Sequence, residues 1–177
     1  VKSRVLACLV AAAYVWSGTS AAQERWDELG LARIGASADQ LEGLASARCE
    51  GGGAERACTV AGGVLLGVPV LGVEALLRDG KLARVAVRFD STHYPSLLAA
   101  LSARLGEPED RSYRARAGMA GDFEVGVRLW EQAGRAAILE EYAGKIDRGA
   151  LTFGDAQSMR EALARQRAAA RGAWRDL

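Results

Sequence analysis

Two glycine turns set inside alternating apolar runs constrain this chain more than any other feature. Val73 to Leu77 and Lys81 to Phe89 flank Arg78-Asp79-Gly80, while Phe123 to Glu131 and Arg135 to Tyr142 flank Gln132-Ala133-Gly134. Runs of period two that meet at a glycine turn read as antiparallel hairpins. Turn length then sets the register. A two-residue Asp79-Gly80 turn places Glu74 opposite Val85 and mixes the faces. A three-residue loop with Gly80 left-handed pairs Leu77 with Lys81 instead. Glu74 then faces Arg84, and Val73, Ala75 and Leu77 share a side with Ala83, Val85, Val87 and Phe89. The same loop at Gly134 sets Val127 opposite Leu139 and Leu129 opposite Ala137.

Helical periodicity brackets these hairpins. Ser37 caps a helix with Gln40 at its third position, and Leu41, Leu44 and Ala45 form one face before the pattern fades by Arg48. A second helix from about His93 to Leu105 carries the stripe Leu97, Leu98, Leu101 and Leu105; Pro95 is tolerated in its first turn, and Gly106-Glu107-Pro108 ends it. Short strands are expected near 111–117 and 150–154, and a final helix from Ala156 to about Trp174. A shift of 54 residues maps Ser37 onto Ser91, Leu44 onto Leu98, Val73 onto Val127 and Gly80 onto Gly134. The expected class is therefore α+β. A helix followed by a three-stranded antiparallel sheet is used twice, over about 34–89 and 90–154, and a C-terminal helix occupies 156–177.

The first 22 residues have the order of a secretory signal peptide: Lys2 and Arg4, an apolar run from Val5 to Trp16, then Ser-Gly-Thr-Ser-Ala-Ala. The run is shorter than the roughly 20 residues that span a bilayer. Cleavage after Ala22 leaves a domain beginning at Gln23, expected in the periplasm. Losing the two leader cations takes the formal charge from +1 to −1, which gives no electrostatic reason to bind nucleic acid. Cys8 leaves with the leader, and the remaining pair, Cys49 and Cys58, reads as one disulfide in an oxidising compartment. Two thiols and the single histidine, His93, do not supply four zinc ligands, so no metal or other cofactor is expected.

Ile34-Gly35-Ala36-Ser37 entering a helix, Arg78-Asp79-Gly80-Lys81-Leu82 at a hairpin and Leu105-Gly106-Glu107-Pro108 after a helix together resemble a group of small exported bacterial proteins. The arrangement, over about 34–142, is similar to the helix-plus-sheet repeat of SmpA/OmlA-type outer-membrane assembly lipoproteins and of the β-lactamase inhibitor protein. The resemblance implies binding or assembly without catalytic residues. No lipobox precedes Cys8, and no residue matches an inhibitory contact.

Catalysis is hard to stage. Any Ser-His-Asp arrangement must use His93, whose neighbours Asp90, Ser91 and Ser96 read as the network that starts a helix; a hydrolase centred on His93 is the alternative function. Glu140 and Glu141 are adjacent on a strand, so they point to opposite faces, with Glu141 on the side of Val127 and Leu139. A binding face is the stronger reading. If the valines and leucines of the hairpins face the helices, the other side carries Leu76, Leu82, Arg84, Arg88, Arg128, Trp130, Ile138 and Tyr142. Trp, Tyr and Arg are the types that dominate interface hot spots. Arg84, Arg88, Arg128, Trp130, Ile138 and Tyr142 are thus the expected contacts to an envelope protein. In the last helix Met159, Leu163, Ala170 and Trp174 make a thin stripe among arginines, which reads as a docked helix rather than one lying on a membrane.

Overall fold

The computed structural model describes residues 48–52, 54–116 and 121–172. The leader-like segment, the helix expected from Ser37 and the far end of the last helix at Trp174 lie outside the described residues. In chain order the elements are β1 (Arg48–Glu50), β2 (Glu55–Leu65), β3 (Val68–Arg78), β4 (Lys81–Asp90), a 3₁₀ turn (Ser91–His93), α1 (Tyr94–Leu105), β5 (Glu109–Asp110), β6 (Tyr113–Arg116), β7 (Asp122–Val125), β8 (Val127–Gln132), β9 (Arg135–Lys145), β10 (Arg148–Asp155) and α2 (Ala156–Gly172). The class is α+β, and its sheet is antiparallel.

Eight strands join in the order β1-β2-β3-β4-β10-β9-β8-β5, while β6 and β7 form a separate two-stranded sheet. This replaces the expected pair of helix-plus-three-strand units. The 54-residue shift does carry the β3–β4 turn onto the β8–β9 turn. It carries β3 as a whole onto 122–132 and β4 onto 135–144, while the segment that it would carry onto α1, 40–51, lies mostly outside the described residues. The apolar run from Phe123 to Glu131 is likewise two strands in two sheets, broken at Gly126.

Both expected three-residue loops are two-residue turns. Asp79 and Gly80 have φ of 50° and 71°, and Ala133 and Gly134 have 51° and 76°. Positive φ at both central residues is the turn whose twist matches a hairpin. In the β3–β4 hairpin a bulge rescues the faces. Leu77 pairs with Leu82 but Leu76 pairs with Arg84, leaving Ala83 as the extra residue. Leu82 is thereby turned inward and is 1% exposed, a correction to its place on the outer face. In the β8–β9 hairpin the register runs unbroken from Gln132↔Arg135 to Val127↔Glu140, one residue off the expected pairing.

The sheet has a core on each side. One cluster gathers Val85, Val87, Phe89, Leu139, Leu151 and Phe153 under Leu97, Leu101 and Leu105 of α1. The other gathers Val127, Leu129, Ala136 and Ile138 under Met159 and Leu163 of α2, with Tyr113, Ala115 and Phe123 of the small sheet beside them. Strands buried on both faces carry apolar residues at successive positions, as Ala136 to Leu139 do, all four at 7% exposure or less. The Cys49–Cys58 disulfide joins directly paired residues of β1 and β2, with Cα atoms 4.0 Å apart. Among the described residues no helix is long and apolar enough to cross a membrane.

Candidate binding face

Directly opposed residues of an antiparallel sheet point to the same side, so the pairings define rows across the α2 side of the sheet. One row reads Gly72, Arg88, Ala150, Glu140 and Val127 from β3 to β8. The next reads Thr59, Glu74, Ala86, Thr152, Ile138 and Leu129, starting at β2. The third reads Ala57, Leu76, Arg84, Gly154, Ala136 and Glu131. Helix α2 packs on β9, β10 and β6. Among the described residues the cover thins beyond β10: Ala86 of β4 is 7% exposed, but Ala57, Thr59, Glu74 and Arg84 are exposed.

The six expected contacts do not share this face. Arg84 and Arg88 stand on its open part, and Ile138 lies on the same side but 7% exposed beneath α2. Tyr142 is half-buried with its ring edge-on to Phe123, centroids 5.7 Å apart. Trp130 and Arg128 point the other way. The two-residue turn places Trp130 opposite Ala137 and Arg128 opposite Leu139, both on the α1 side. Trp130 is 3% exposed, and its indole N–H donates to the Gly106 carbonyl at 2.8 Å, closing the end of α1. One Arg128 nitrogen donates to Asp110, Ser112 and the Val127 carbonyl at 2.7–3.1 Å, tying the β5 segment to β8. Trp130 thus packs inside the fold, and Arg128 bridges segments of its own chain.

A polar seam crosses the inner border of the open face. Arg88 contacts Glu74 at 3.5 Å, and past the small Ala150 in the same row lies Glu140, the one buried charged residue among those described. The Glu140 carboxylate accepts from Tyr113 Oη at 3.3 Å and from Gln166 Nε2 of α2. Burial pushes its pKa up against these donors and the Arg88 charge. Burial and the neighbouring carboxylate push the Tyr113 phenol to about 12. The register expected from sequence placed Glu141, not Glu140, beside Val127; the one-residue shift exchanges them.

At the opposite border a groove of about 260 Å³ runs between the first turns of α2 and strands β3 and β4. Leu76, Ala83, Met159 and Ala162 supply its apolar lining, and Arg78, Arg84, Arg165, Asp155 and Glu161 its charges. Most of those charges are spoken for. Arg78 pairs with Glu55 at 2.9 Å and Arg165 with Glu161 at 4.0 Å. Asp155 caps α2 by accepting from Ser158 N at 2.8 Å, and the Ser158 hydroxyl together with this N–H holds its carboxyl below the usual range. Arg84 has no carboxylate partner among the described residues.

His93 stands where the 3₁₀ turn meets α1, and its neighbours work elsewhere. Asp90 Oδ1 accepts from Thr92 N at 3.0 Å and Thr92 Oγ1 at 2.6 Å, while Ser91 Oγ donates to the Ile146 carbonyl at 3.0 Å. Among the described residues no three His, Cys, Asp or Glu side chains are placed to share a metal ion. Compared with known proteins, the chain matches no family model, no curated protein and no solved structure.

Proposed function

We propose that this chain is a non-catalytic binding protein of the cell envelope, which takes a protein partner on the open β2–β4 part of its sheet. The observation that carries this reading is the uneven cover of the sheet: among the described residues, α2 and the small sheet bury Val127, Leu129, Ala136 and Ile138 at one end of the three rows, while Ala57, Thr59, Glu74 and Arg84 toward the other end are exposed. A rigid sheet face presents side chains in fixed positions at little entropic cost, which favours specific binding. Arg84, Arg88, Leu76 and Thr59 are its contact residues. The Cys49–Cys58 disulfide and the signal-like order of residues 1–22 support a periplasmic location. The motifs that resemble SmpA/OmlA-type proteins imply the same non-catalytic class.

The test is position-specific crosslinking in intact cells, with a photoreactive side chain at Ala57 or Thr59 on the open face and at Ser96 or Ala103 on the exposed side of α1. One envelope protein joined from the open face alone supports the reading. Equal crosslinking from both sides, or none from the open face, overturns it.

A further inference from the structure

Resting on that reading, we infer that the groove beside α2 selects an extended partner segment in which a carboxylate side chain and an aliphatic one stand two residues apart, on the same face. The charge pattern of the groove carries the inference. Of its three arginines, Arg78 is paired with Glu55 at 2.9 Å and Arg165 lies 4.0 Å from Glu161, and Asp155 is engaged as a helix cap. Among the described residues Arg84 is exposed and has no carboxylate partner. A planar guanidinium is matched by two carboxylate oxygens at once, a geometry that a single ammonium cannot offer.

The surroundings of Arg84 define the rest of the ligand. It lies in its row between Leu76 and Gly154. Gly154 adds no side chain there, and a Cβ at that position would lie 2.9 Å from Met159 Sδ and 3.0 Å from its Cγ. That leaves room for Met159 over Gly154, so that Met159 and Leu76 line the groove on either side of Arg84. An aliphatic side chain fits against this apolar lining, and the residue two positions along an extended chain, on the same face, reaches Arg84.

Binding of the full, disulfide-intact chain to immobilised, end-blocked decapeptides tests this. The peptides share a Thr/Ser background and differ only in a central Leu-Thr-Glu, Leu-Thr-Gln or Leu-Thr-Lys triplet (called Leu-Glu, Leu-Gln and Leu-Lys). The Leu-Glu peptide should be retained about tenfold more strongly than Leu-Gln, as expected for one charge-assisted contact. Arg84→Gln should abolish the preference and Arg84→Glu should shift it to Leu-Lys. Circular dichroism of both variants should match the parent. Equal retention of all three peptides, retention of none, or a preference that survives Arg84→Gln overturns the inference. Crosslinks from Ala57 and Thr59 report on the open face separately: their presence without a Leu-Glu preference removes only this ligand chemistry, and their absence removes the binding face itself.

Discussion

Truncating Trp130 separates its two roles most sharply, because a contact residue and a core residue give opposite results. The side chain is 3% exposed and packs in the cluster under α1. Removing a buried indole costs about 3–5 kcal/mol, from lost transfer energy and the cavity left behind. It also frees the Gly106 carbonyl, now bonded at 2.8 Å. Gly106 is exposed, so water can replace that donor and the bond itself adds only about 1 kcal/mol. Trp130→Ala should therefore lose about 4 kcal/mol, a large share of the 5–15 kcal/mol typical of a domain. Trp130→Phe keeps a ring in place and should lose about half as much. Guanidinium unfolding followed by far-UV circular dichroism measures both, with the slope checked for constancy. A Trp130→Ala loss within about 0.5 kcal/mol of zero, the range of ordinary surface changes, would refute the placement and return Trp130 to the binding face.

Three further outcomes follow from particular contacts. Gly149→Ala should lose about 3 kcal/mol in the same assay, since the new Cβ would lie 2.2 Å from Cε2 of the fully buried Phe89 ring; a loss under 1 kcal/mol would show that the ring can move. Burial holds Glu140 above its ordinary value near 4.5, so the native state binds this proton more tightly than the unfolded chain. Its stabilisation is full below the ordinary value and is lost as pH rises through the raised one. Stability of Glu140→Gln relative to the parent should therefore increase from about pH 4 to about pH 7, and an unchanged difference would refute the shift. Replacing both Cys49 and Cys58 by alanine should cost about 2–3 kcal/mol in unfolding free energy, the same loss that a reductant causes in the parent; a loss under about 0.5 kcal/mol would refute the contribution of the disulfide.

Much of the fold was legible because its signals are local. The glycines at 80 and 134, the capped leucine stripe of α1 and the start of α2 at Ala156 lie where their side-chain patterns put them. Face assignment was not, because it depends on turn length to the residue. Ala133 with positive φ gives no local signal of a two-residue turn, and a three-residue turn there puts Trp130 and Arg128 on the opposite face. At Asp79-Gly80 a two-residue turn keeps the faces unmixed only with the bulge at Ala83, which has no local signal. Arg84 and Arg88 kept their places on the open face. Glu140 did not announce itself, because its donors Tyr113 and Gln166 come from positions 27 and 26 residues away.

The seam between β4 and β10 has a kinetic consequence. The β2–β4 and β8–β10 meanders each pair neighbours joined by two-residue turns, so each can form locally. The seam instead pairs Asp90 with Arg148 and Arg84 with Gly154, partners 58 and 70 positions apart. Closing loops of that length comes before any pairing energy is returned. Two half-sheets that form early would thus meet late, each exposing β4 or β10 as an unpaired edge until they do. The slow step and the danger of misassociation coincide at the middle of the finished sheet.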